Sequence, residues 1–194
     1  MSGENFINSF VSAMYKSENR LKQIYSKHLT EYTTTINGII RYIFCEEHKD
    51  EYEDKYFPEY FRIDHTVWTS TKCTSIDGVR IYNWCFEFAI EHENDCTDWT
   101  YEMLKLSFVD AKVRIVIGYV DREQVADREG AIIKEQAKYI GDISPDDEFY
   151  VLLLNNKYDD TNQKDPFDPR CYRISKSGDD VSVEQRAICK CLVR

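Results

Sequence analysis

A chain of 194 residues, 42% hydrophobic and 31% charged, holds enough apolar material for one substantial core, and one domain is the default. Its formal net charge of −10 counts against a general nucleic-acid-binding module, because non-specific affinity for nucleic acid rests on Lys and Arg meeting phosphates. No apolar run approaches the roughly 18 residues of a spanning helix, and the opening MSGENFINSFVSAMYKSENR lacks the basic start and apolar block of a secretory signal, so a cytoplasmic protein is expected.

Residues 2–47 carry apolar side chains at helical spacing, first Phe6, Phe10, Val11 and Met14, then Leu21, Ile24 and Leu29, then Ile36, Ile39, Ile40 and Ile43. The spacing predicts a helical N-terminal segment, with a break expected at Thr30 or in the run Thr33 to Thr35. Its two apolar stripes could pair with another copy of the chain, giving a homo-oligomer. A charged and aromatic stretch follows, and Pro58 is expected to open the sheet. FRIDHTVWTS, residues 61–70, reads as a strand, Asp77-Gly78 as a turn, and VRIYNWCFEFAI, residues 79–90, as the returning strand of a hairpin. Alternation assigns Trp84, Phe86, Phe88 and Ile90 to one face, and Glu87, Ala89, Glu91 and Glu93 to the other.

Thr97 or Asp98 then caps a short helix containing Trp99, Met103, Leu104 and Leu106. AKVRIVIGYV, residues 111–120, reads as a strand buried on both faces, and EFYVLLLNN as another. Between them DREQVADREGAIIKEQAKYI reads as a helix, which Gly130 weakens by about 1 kcal/mol relative to Ala. KYDDTNQKDPFDPR is a polar loop, and the remainder offers further strands. The order predicts an α/β protein, a three-layer α/β/α arrangement with a central mixed sheet. It is a single domain over 1–194, with 2–47 the helical segment, 60–156 the core α/β sheet and 157–194 a C-terminal extension. The seven cysteines are odd in number and form no CxxC pair, so free thiols are expected.

The chemistry gathers where the hairpin ends meet. Glu91 and Glu93, two residues apart on a strand, point the same way about 7 Å apart and repel each other. A divalent cation, a lysine or water must neutralise them. The antiparallel return brings Glu91 toward Asp64, and the next helix offers Lys105. The bland alternatives are an ion pair of Asp64 with Arg62 or Arg80, a solvated strand end at Glu91 and Glu93, and a surface Lys105. His65 and His92 flank the acidic residues, and alternation turns both to the opposite face. Glu31 and Glu46 are outer carboxylates that no spacing selects. No glycine-rich phosphate loop, HExxH or GxSxG motif occurs.

An Asp on one hairpin strand, FRID, and a Glu-x-Glu on the next, IEHEN, then a helix with LKL and the strand VRIVIGY, resemble the PD-(D/E)xK nuclease superfamily, the restriction-endonuclease-like fold. The same strings look like a group of poorly described bacterial proteins linked to it. The resemblance covers about residues 60–120. It aligns Asp64 with the family's Asp and Glu91 with its Glu. Glu93 stands where the Lys usually is, and Lys105 suits members that carry the lysine on the following helix. The resemblance implies a hydrolase: a nuclease cleaving nucleic acid with Mg2+ or Mn2+, in which Asp64, Glu91 and Glu93 are metal ligands and Lys105 completes the catalytic set. The substitution of Lys by Glu93 suggests the alternative, a degenerate, non-catalytic acidic module for a protein partner, as in a phage or bacterial defence system.

Overall fold

A computed structural model describes residues 1–25, 28–60, 62–69, 72–83, 85–121, 125, 128–155 and 167–189. Three helices open the chain: α1 (Gly3–Lys16), α2 (Glu18–Tyr25) and α3 (Leu29–Tyr42). Ser2 accepts from the Asn5 N–H and starts α1 with a side-chain cap. The threonine run does not break α3. Thr33, Thr34 and Thr35 each return their hydroxyl to the carbonyl four residues back, which satisfies the polar group inside the helix. A π-turn (Ile43–Glu47), the short α4 (Lys49–Tyr52) and a 3-10 turn (Glu53–Lys55) lead to the sheet.

Seven strands form one mixed sheet in the order β1 (Tyr56–Tyr60), β2 (Ile63–Trp68), β5 (Phe86–His92), β6 (Ala111–Val120), β7 (Glu148–Asn155), β8 (Arg170–Ser177), β9 (Asp180–Arg186). β1–β2–β5 is antiparallel, β5–β6–β7 parallel and β7–β8–β9 antiparallel. Pro58 sits within β1, on the sheet edge, where its missing N–H costs no ladder bond. The expected returning strand is split: β3 (Lys72–Ile76) and β4 (Val79–Asn83) form a separate ribbon around Asp77-Gly78, and only β5 joins the sheet. β8 and β9 carry the sheet beyond residue 157, so residues 170–186 belong to its architecture.

Helices cover both faces. On one, Phe6, Phe10, Tyr32, Ile36, Ile40 and Phe44 pack on Phe88, Ile90, Ile115, Ile117, Tyr150 and Leu152. The helical stripes expected to pair with another copy are therefore spent on the protein's own sheet. On the other face, α5 (Trp99–Ser107) and α6 (Glu129–Ala137) lay Trp99, Met103, Leu106, Ile133 and Ala137 on Ala89, Val116, Val151 and Leu153. β6 and β7 alternate between these cores, so their apolar runs are continuous, as expected of doubly covered strands. α6 begins at Glu129, which places Gly130 in its first turn, where helical hydrogen bonding of the backbone N–H is not yet required. The upstream part of the helix expected over 121–140 and most of the polar loop 157–170 lie outside the described residues.

Candidate active site

The site lies on the α5 face, where β2 and β5 run antiparallel and the C-terminal end of β5 leaves the sheet. His65 pairs with Ile90, and the next step of that register sets Asp64 opposite Glu91. Between Val67 and Trp68 the pairing shifts: Val67 faces Phe88 and Trp68 faces Phe86, leaving Glu87 unpaired as a bulge. Simple alternation is thus wrong for the first part of β5. Phe86 joins the α5-side core, Phe88 and Ile90 the opposite one, and the Glu87 carboxylate accepts from the Tyr52 hydroxyl at 3.0 Å. Beyond the bulge, Ala89 and Glu91 face α5 and His92 faces α3.

Asp64, Glu91 and Lys105 come together. Asp64 Oδ2 accepts from the His92 backbone N–H at 2.9 Å, and among the described residues Arg62 makes no ion pair with it. The Glu91 side chain is only 3% exposed, and its Oε1 lies 2.8 Å from Lys105 Nζ. Lys105 Nζ is also 2.8 Å from Oε2 of Glu102, one turn earlier on α5 and 10% exposed. Sequence reasoning missed Glu102; its signal was the i,i+3 spacing to Lys105 on one helix face. Trp99 fixes the helix above the strands by packing directly on Gly118 of β6, where a Cβ would lie 2.6 Å from that of Trp99.

Glu93 stands at the rim. β5 ends at His92, and the Glu93 carboxylate turns back to accept from the Asp95 N–H at 2.7 Å, so it serves the turn that leads into α5. Its charge still reaches Asp64. Asn94 donates to Thr33 Oγ1 at 2.7 Å, tying the same turn to α3.

Three carboxylates, those of Asp64, Glu91 and Glu102, face the one ammonium of Lys105. Burial, with the charges of Asp64 and Glu102 adding to it, pushes Glu91 up to about 8 against the pull of Lys105. Burial also raises Asp64, although the His92 N–H, Lys105 and a hydrogen bond from Glu91 work the other way. For Lys105, burial favours the neutral amine, but the hydrogen bonds to Glu102 and Glu91 outweigh it and the group is raised. The shifts of Asp64 and Glu91 both run toward the neutral acid, so the pair favours holding a proton.

Behind the sheet the two histidines are buried and neutral. His65 Nδ1 lies 2.7 Å from the Tyr56 hydroxyl, and His92 Nε2 3.0 Å from that of Tyr119, which donates to Tyr32 at 2.9 Å. Burial depresses His65 to about 4, and burial with the nearby His65 depresses His92 to about 3. Both belong to the opposite face, as alternation after the bulge requires.

A three-carboxylate metal set of Asp64, Glu91 and Glu93 is not assembled: among the described residues no group of three or more His, Cys, Asp or Glu side chains is arranged to hold an ion. The strand ends at His92, which releases Glu93 to the turn. Asp64 and Glu91 remain as a pair. Two carboxylates fit a hard ion that keeps several of its waters, Mg2+ or Mn2+, rather than an all-protein cage for Ca2+ or Zn2+. No protein-family model, no curated protein and no solved structure matches the chain.

Proposed function

We propose that this chain is a divalent-metal-dependent nuclease that hydrolyses phosphodiester bonds of nucleic acid at Asp64, Glu91 and Lys105, on a divergent restriction-endonuclease-like fold. The observation that carries the reading is the cross-strand pair of half-buried Asp64 and buried Glu91 with Lys105 Nζ 2.8 Å from Glu91. Further support comes from its position at the carboxyl end of β5, beside parallel β6, where open α/β sheets present their clefts. The fold assignment is supported by the order antiparallel β2–β5, helix α5, parallel β6, together with β1, which supplies the strand before the Asp-bearing one.

Asp64 and Glu91 would hold the Mg2+ or Mn2+, which when bound acidifies water and takes up charge on the phosphate. The His92 N–H fixes the Asp64 carboxylate, so the pair is oriented before substrate arrives. Glu91 must give up its proton to ligate, which ties the site's loading to pH. Lys105, raised and held by Glu102, stays charged and supplies an ammonium to a phosphate oxygen or the attacking water. Incubation of the protein with fluorogenic single- and double-stranded oligonucleotides and Mg2+ or Mn2+ tests this. Cleavage is expected, reduced by about 100-fold or more in Asp64→Asn and Glu91→Gln. Absence of cleavage, or variants as active as the parent, would contradict it.

One observation favours a second reading. Lys105 Nζ lies 2.8 Å from a carboxylate oxygen of both Glu91 and Glu102, an ion-pair cluster internal to the protein, and the chain carries a net charge of −10. On that reading the protein is a non-catalytic acidic module for a protein partner. Glu91→Gln would then lower thermal stability equally with and without Mn2+.

A further inference from the structure

The two edges of the sheet differ in kind. On β1, Pro58 lacks an N–H and Glu59 turns left-handed at φ 53°, so the outer row of backbone groups is broken. β9 has no such guard. Residues 180–186 include no proline, glycine or lysine, and their register with β8 runs without a shift from Ser177–Asp180 to Cys171–Arg186. Among the described residues no strand pairs with the outer side of β9. The chain leaves that side after Arg186: Ile188 packs against the helical core, and the Cys189 N–H donates to Asn8 Oδ1 of α1 at 2.9 Å. The hairpin decides which backbone groups point outward. Gly178 and Asp179 form a two-residue turn, which closes on Ser177–Asp180 as a hydrogen-bonded pair. Alternation then directs Asp180, Ser182, Glu184 and Arg186 to β8, and leaves the N–H and C=O of Val181, Val183 and Gln185 directed outward. Val181 and Val183 lie half-buried at the margin of the α6-side core, and Arg186 reaches Glu4 on the α1 side.

We infer that β9 pairs antiparallel with β9 of a second copy, about a two-fold axis through Val183, joining two sheets into one. An axis normal to the sheet keeps α6 face beside α6 face, so only pairings that preserve the side-chain alternation are allowed. Centred on Val183, that residue meets its own counterpart and Val181 meets Gln185 of the second copy, so every outward residue of the strand finds a partner. On the α1 face Ser182 meets Glu184 and Asp180 meets Arg186, and no like charges stand opposite each other. Arg186 already lies 3.1 Å from Glu184 and 3.6 Å from Glu4, so Asp180 of the second copy is a further acceptor for its five donors, and the backbone ladder carries the contact. Other registers fail. An axis at Ser182 opposes Asp180 to Glu184, an axis at Glu184 opposes that carboxylate to itself, and either leaves an outward residue without a strand partner. The backbone row would accept any extended chain; the order of charges is what fits the strand to itself. β9 stands at the opposite end of the sheet from β1 and β2, so the contact leaves Asp64, Glu91 and Lys105 uncovered.

The test is sedimentation equilibrium of the intact protein over about a hundredfold range of concentration. The expected species is a dimer, twice the 23.0 kDa chain. Val183→Pro removes an outward N–H while leaving the bonds to β8 in place, so it should give a monomer that still melts cooperatively. Ser182 is exposed and faces Glu184 of the second copy, which makes its charge variants a test of register that does not depend on that proline. Ser182→Lys should tighten the dimer about fivefold and Ser182→Glu weaken it about fivefold, because each contact occurs twice across the axis. A monomer at every concentration, a dimer indifferent to Val183→Pro, an assembly that grows beyond two copies, or Ser182 variants that shift the equilibrium in the same direction or not at all would overturn the inference. Should Val183→Pro fail to fold, the opposed signs of the Ser182 pair decide.

Discussion

Glu91 and the two buried histidines act on stability in opposite directions. Glu91 is raised from 4.5 to about 8, so the folded chain binds more protons than the unfolded one within that window, and stability falls as pH rises through it. Asp64, also raised, adds in the same sense. His65 and His92 are depressed to about 4 and about 3, so their neutral forms favour the folded state above the unfolded value of 6.5, and that contribution is lost as pH falls. Between pH 4.5 and 6.5 the Glu91 and histidine terms offset; from 6.5 to 8 Glu91 acts without opposition from the histidines. Thermal melts in EDTA should therefore show Tm falling from pH 6.5 to 8, by about 2–4 °C for each kcal/mol lost. Glu91→Gln should flatten that limb. A Tm that rises over the same interval would show that the cluster is not short of positive charge.

At the level of elements, the site depends on how closely α5 approaches the sheet. Trp99 lies on Gly118, and Lys105 follows six residues later, about 9 Å along the helix, over Glu91. Gly118→Ala would drive a methyl into the Trp99 Cβ, a backbone-proximal atom that cannot swing aside, so α5 must lift. A loss of about 1–3 kcal/mol is expected in denaturant melts, with the pH 6.5–8 limb altered as Lys105 moves off Glu91. A neutral effect on both would remove Gly118 as the determinant of helix position. Much at this scale was legible in the sequence. Period-3.6 stripes gave the N-terminal helices, and the continuous apolar runs gave β6 and β7. Asp64 and Glu91 were legible because the antiparallel return sets them across from each other, and Lys105 because the resemblance points to a lysine on the following helix. The bulge at Glu87 was not, since nothing in WCFEFAI marks which residue loses its partner, and with it went the facing of Phe86. Glu93 was misplaced because alternation says nothing about where a strand stops. Glu102 escaped notice because its role depends on the tilt of α5, which a glycine on another element sets.

In the whole molecule, the N-terminal helices complete the fold rather than decorate it. Phe6, Phe10, Tyr32, Ile36 and Phe44 are fully buried, and α1–α3 cover the sheet face that carries His65 and His92. A chain beginning at residue 50 would expose that face, a large apolar patch, and should be insoluble or unfolded by circular dichroism. A soluble, cooperatively melting fragment would mean that the sheet is stable with α5 and α6 alone. No described helix is long and apolar enough to cross a membrane.

Metal-dependent hydrolysis at this site requires that Asp64 and Glu91 take up a divalent ion once Glu91 has lost its proton. Titration calorimetry of Mn2+ into the intact protein at pH 7, in two buffers of different ionisation enthalpy, measures binding and proton release together. We expect Mn2+ to bind with release of a proton, and Glu91→Gln to lose both the binding and the release. Absence of binding by the parent protein, or binding unchanged by Glu91→Gln, would contradict the account.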